Sequence, residues 1–89
     1  MKEEVGLLSQ WEKLVEEILK RNPNLRFEDL SKALIRIGYS QNQPNGGSSH
    51  YTFRKDSKQP ITLPKANPMN KAYIELVRLA IIENENEDD

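Results

Sequence analysis

The sequence predicts an α+β domain in which helices pack on one face of a three-stranded antiparallel sheet. Three observations predict it. Apolar residues recur at three- and four-residue spacing in three separate stretches. Between the second and third stretch, apolar and polar residues alternate instead. Clusters of Asn, Pro, Gly and Ser punctuate the junctions. The resulting order is helix, helix, strand, strand, strand, helix. Helices segregated to one side of a small sheet bury such a set most economically.

The first helix starts at Ser9-Gln10-Trp11-Glu12, a capping box in which Ser9 caps and Glu12 reaches back. Leu7, Leu8, Trp11, Leu14, Val15, Ile18 and Leu19 give its apolar face, with Trp11 expected in the core. Asn22-Pro23-Asn24 stops it, because proline lacks an amide hydrogen and restricts the residue before it. A second helix begins near Phe27, with Phe27, Leu30, Ala33, Leu34 and Ile37 on one face. Glu28 and Asp29 favour its start, and Gly38 its stop. A short strand is expected over Tyr39 to Gln41, then a loop over 42–49.

From His50 to Lys55 the chain alternates. Tyr51 and Phe53 fall on one side, and His50, Thr52 and Arg54 on the other. Asp56-Ser57-Lys58-Gln59 reads as a hairpin turn, with Ile61-Thr62-Leu63 returning and Pro64 ending the strand. Tyr51, Phe53, Ile61 and Leu63 then share the core face, and Thr62 joins His50, Thr52 and Arg54 on the other. The last helix is expected over Asn70 to Ile82, with Tyr73, Leu76, Val77 and Ala80 as its stripe and Met69 packing at its entry. Residues 1–82 form one domain, with an extra helix at about 9–21 and a core part at 27–82. The acidic residues 83–89 are expected to form a disordered tail.

Composition narrows the function. The 89 residues support one modest core. There is no cysteine, hence no disulfide framework and no thiolate chemistry, which fits a reducing cytoplasm. No apolar run approaches the roughly 18 residues of a membrane span, and Met1-Lys2-Glu3-Glu4 does not read as a signal peptide. The net charge of −1 conceals an uneven distribution. The middle of the chain, 31–82, is basic, and 83–89 is strongly acidic. A basic segment suits a polyanion such as nucleic acid as well as it suits an ordinary solvated surface.

Candidate chemistry concentrates in Gly46-Gly47-Ser48-Ser49-His50-Tyr51-Thr52-Phe53-Arg54, which holds the only histidine. RNA carries its own nucleophile, the 2′-hydroxyl. A histidine side chain, ordinarily titrating near pH ~6.5, can take its proton, and such a base contributes on the order of 10²–10⁴-fold. Arg54 is expected on the same side of the strand, roughly 7 Å along it, where it can clamp a phosphate. Lys55, Lys65 and Lys71 are further phosphate candidates. Gly46, Gly47 and Ser48 can form an anion-binding nest, so Gly47, Ser48 and Ser49 are expected against RNA phosphate. No Asp/Glu cluster lies near His50 in sequence, so no metal and no cofactor are expected.

These residues also carry a resemblance. Phe27-Glu28-Asp29-Leu30, Gly38-Tyr39, Gly47-Ser48-Ser49-His50-Tyr51-Thr52-Phe53 and Ile61-Thr62-Leu63-Pro64, in that order, resemble a HicA-type toxin of a bacterial toxin–antitoxin pair over about residues 27–82. The resemblance implies a double-stranded-RNA-binding-domain-like fold and an mRNA-cleaving endoribonuclease. It also implies a HicB-type protein antitoxin as partner, and His50 as the catalytic histidine. The chain departs from the pattern at Ala66, after Lys65, where many members have histidine. That leaves a one-histidine mechanism and implies weakened activity. The family is also usually basic overall, which implies weaker RNA affinity here.

Two other classes fit the residues. One is a non-catalytic nucleic-acid module, either an RNA binder reading shape or a winged-helix DNA binder with 27–37 in the groove and 50–63 as wing. Only Lys32 and Arg36 mark the polar face of 27–37, which is poor for base readout. The other is an interaction domain without nucleic acid.

Overall fold

The computed structural model describes residues 9–42 and 50–87. Three helices and a three-stranded sheet follow in the order α1 (Gln10–Leu19), α2 (Phe27–Arg36), β1 (Ser40–Asn42), β2 (His50–Arg54), β3 (Ile61–Pro64) and α3 (Lys71–Glu87). The expected α+β class is present, with an antiparallel sheet in the order β1-β2-β3.

Each helix boundary has a local cause. At α1 the Glu12 amide donates to Ser9 Oγ and the Ser9 amide to Glu12 Oε1, each at 3.0 Å, closing the expected capping box. The helix ends with Arg21 in a left-handed conformation, φ 59°, while the Asn22 amide donates back to the Glu17 carbonyl at 3.0 Å. An arginine pays a steric penalty there that glycine does not. Its side chain is held by Glu75: Arg21 Nε donates to Oε1 at 2.9 Å. At the start of α2 the Phe27 amide donates to Asn67 Oδ1 at 3.0 Å, which ties the β3–α3 loop to the helix. Its end is a Schellman turn: Gly38 has φ 109°, and the Tyr39 amide donates to the Leu34 carbonyl at 3.0 Å.

The core lies between the helices and one sheet face. Phe53, Leu63, Leu30, Leu34, Ile18, Ile74 and Val77 are fully buried, and Tyr51 packs at its margin. The Phe27 ring stands 5.0 Å from Tyr51 and 6.4 Å from Phe53. Met69 is buried as expected. Trp11 is only half-buried, with the Arg36 guanidinium 5.1 Å from its ring centre. Leu76 is not on the buried stripe: it is 44% exposed, and Ile74 and Ile81 turn inward instead. The strand expected at Tyr39–Gln41 is shifted by one residue to Ser40–Asn42.

The largest correction concerns the acidic end. Residues 83–87 are helical and continue α3. Lys58, in the β2–β3 turn, pairs with Glu83 at 3.3 Å and with Glu87. Glu83 and Glu87 lie one turn apart on the same helix face, so one lysine anchors both. Sequence spacing alone placed the helix end at Ile82 because apolar periodicity stops there.

Candidate functional site

β2 is the central strand, and its two faces have separate work. Its register pairs His50 with Pro64, Thr52 with Thr62 and Phe53 with Ile61 on one side. On the other it pairs Ser40 with Arg54 and Asn42 with Thr52. Side chains opposite one another share a face. The face away from the core therefore carries Ser40, Asn42, His50, Thr52, Arg54, Thr62 and Pro64, all exposed or half-buried. None of these residues is a carboxylate.

His50 opens β2 and is exposed. Two residues on, Thr52 Oγ1 lies 3.2 Å from Thr62 Oγ1 on the neighbouring strand. Arg54 stands at the far end of the same file and is exposed. It is four residues from His50, so a strand rise of about 3.3 Å per residue separates their Cα atoms by about 13 Å. The expected separation of roughly 7 Å corresponds to two residues, whereas the sequence itself separates His50 and Arg54 by four. A phosphate seated at His50 is beyond an arginine standing upright at that distance.

The lysines divide. Lys65 follows Pro64, the cross-strand neighbour of His50, and so sits exposed at the His50 end of the sheet. Lys71 is exposed at the first turn of α3. Lys55 is on the opposite face: its Nζ donates to the Ile37 carbonyl at 2.7 Å and to Asn84 Oδ1 at 3.2 Å, and stands 5.7 Å from the Tyr39 ring centre. It buttresses α2 and α3 and is unavailable to a ligand on the His50 face. Gly46, Gly47, Ser48 and Ser49 lie outside the described residues.

The basic middle of the sequence is thus partly neutralised within the fold. Lys58 is held by two α3 carboxylates, which raise its pKa, the Glu87 bond most of all. Arg78 is paired with Glu75 through contacts of 3.0 and 3.1 Å. Arg78 and then Arg21 hold the Glu75 carboxyl down at about 2. Burial, then the nearby Glu83 carboxylate, pushes the Tyr39 phenol up. Among the cations weighed from sequence, Arg54 and Lys65 are the two placed on or beside the His50 face.

Concavities lie elsewhere: one between α1 and α2 around Trp11 and Ile35, another between the β2–β3 turn and α3 around Tyr39 and Leu79. His50 lines neither of these two. Among the described residues no group of three or more His, Cys, Asp or Glu side chains is gathered to hold a metal ion. No described helix is long and apolar enough to cross a membrane. Sequence reasoning placed Thr52 and Thr62 on the His50 face but did not see their hydroxyl pair. The strand register reveals it, and the alternation rule with the turn length at 56–59 was the available signal. No protein-family model matches the chain, and neither a curated protein nor a solved structure matches it.

Proposed function

We propose that this chain is a metal-independent endoribonuclease that cleaves mRNA in the cytoplasm, the toxin of a HicA-type pair restrained by a HicB-type protein. One observation carries the reading: an exposed imidazole stands on a polar strand face whose described residues include no carboxylate, with a guanidinium further along the same strand. The motif resemblance supports it. The helices-on-one-face arrangement supports the double-stranded-RNA-binding-domain-like description of α2 through α3, with α1 added in front.

The chemistry follows from RNA itself. A neutral His50 ring nitrogen accepts the 2′-hydroxyl proton. The 2′-oxygen forms its bond to phosphorus as the bond to the 5′-oxygen breaks. The products are a 2′,3′-cyclic phosphate and a 5′-hydroxyl end. Lys65, at the same sheet end, offers positive charge to the phosphate oxygens. The described residues of the face are polar and spread along the strand, which suits a polymer.

The test is incubation of labelled single-stranded RNA with the purified chain in EDTA, beside a His50→Ala variant. Cleavage by the parent alone, leaving cyclic phosphate ends, is the expected result. Cleavage surviving His50→Ala refutes the assignment of the base. A second reading, RNA binding without cleavage, is favoured by the 13 Å-scale gap between His50 and Arg54 and by the absence of a second imidazole at Ala66. RNA retained in a gel shift with no cleavage by either protein selects it.

A further inference from the structure

Resting on the reading of the open face as the RNA-cleaving site, we infer that the substrate is an unpaired strand laid in extended form along β2. The scissile phosphate sits at His50, and a phosphate two nucleotides away sits at Arg54.

Spacing is the first ground. Side chains on one face of β2 recur every two residues, roughly 7 Å apart. Neighbouring phosphates of an extended single strand are separated by about the same length. His50, Thr52 and Arg54 therefore form three stations in register with three successive phosphates. The gap that prevents Arg54 from holding the scissile phosphate places it on another one.

The middle station is suited to an oxygen-rich ligand. Thr52 Oγ1 and Thr62 Oγ1 are 3.2 Å apart, so one hydroxyl proton bridges them. The second proton remains to be donated outward to a phosphate or ribose oxygen. Asn42, the cross-strand partner of Thr52, adds an amide on the other side.

The face also lacks what other modes of binding need. Apart from the His50 imidazole its described side chains include no aromatic ring, since Tyr51 and Phe53 point to the core. A single ring at one end is no run of stacking platforms for successive bases, and the track follows the backbone. A paired strand does not serve the chemistry. The attacking 2′-oxygen must lie in line with the departing 5′-oxygen, and helical stacking holds the ribose out of that line.

The test uses the full chain and DNA oligonucleotides bearing a single ribonucleotide, so that chemistry defines one cleavage position. Phosphates on either side are replaced one at a time by uncharged methylphosphonates, and kcat/KM is read for the parent and for Arg54→Ala. Loss of the charged contact lowers kcat/KM about tenfold. Neutralising the phosphate two nucleotides away costs the parent the same factor and costs Arg54→Ala nothing further. Coupling of Arg54 to the scissile phosphate, or to no phosphate, overturns the proposal. So does equal cleavage when the ribonucleotide is embedded in a duplex. If the parent cleaves no oligonucleotide, the ribonuclease reading fails. The track is then judged by binding of a five-nucleotide single strand. A drop of about 0.7 in the salt slope for Arg54→Ala upholds the track, and an unchanged slope overturns it.

Discussion

Lys55→Met separates a structural cation from a ligand-binding one. The substitution keeps the side-chain stem, which packs over Gly38: a Cβ built there would lie 3.2 Å from Lys55 Cε. It removes the ammonium and both of its hydrogen bonds. The bond to Ile37 is charge-assisted and falls on the carbonyl-rich end of α2, where a cation also favours the helix dipole. Hydrogen bonds to charged groups contribute about 1.5–3 kcal/mol. The ring contact with Tyr39 adds about 0.5–1 kcal/mol at a site this accessible. Water replaces part of what is lost at a half-buried position, so a net loss of about 2 kcal/mol is expected. For a domain of this size that lowers Tm by on the order of 10 °C. The assay is thermal unfolding followed by circular dichroism, with RNA affinity measured well below the transition. Arg54→Ala is the control, with Tm retained and affinity reduced. A Lys55→Met protein with parental Tm and weakened RNA binding would refute the buttress role and return Lys55 to the ligand face.

Other outcomes follow from the same packing. Phe53→Ala, at a site with no exposure, costs about 3–5 kcal/mol, a large share of a small domain's stability, and collapses the dispersion of its amide NMR spectrum. Glu75 has a folded pKa depressed to about 2 by Arg78 and Arg21, so its contribution is present above its ordinary value near 4.5 and is lost as pH falls toward 2. Glu75→Gln therefore lowers Tm at neutral pH, and its difference from the parent vanishes in acid titration through that window. A chain ending at Ile82 loses both carboxylate partners of Lys58 and the Asn84 acceptor of Lys55, so its Tm falls below that of the parent. An unchanged Tm would show that the end of α3 adds no stability.

The parts of this fold legible in sequence are those decided by near neighbours. Ser9 and Glu12 are three residues apart, and their box is closed as the spacing requires. Alternation from His50 onward put Phe53 in the core and His50 outside. The same alternation puts Lys55 with Phe53, and the structure follows that parity rather than the residue's charge. What sequence did not give depends on partners far along the chain. The helical state of 83–87 rests on Lys58, and the exposure of Leu76 rests on how α3 rolls onto the sheet. The hydroxyl pair of Thr52 and Thr62 rests on strand register. The Arg54 separation follows from counting four residues of extended chain, and its meaning emerges only once the strand register puts both residues on one face.

β2 is hydrogen-bonded on both sides, to β1 and to β3. Its amides point alternately to the two neighbours, so exposing the whole strand requires both ladders to part, whereas on an edge strand alternate amides already face solvent. Its amides at Thr52 and Phe53 are therefore expected among the slowest to take up deuterium, with rates tracking global unfolding. Thr52 is paired on both sides, His50 with β3 and Arg54 with β1, so all three are tied into the one sheet. Their spacing is thus a property of the sheet as a whole, and an RNA bound as proposed would meet a fixed ruler rather than a surface that adjusts to it.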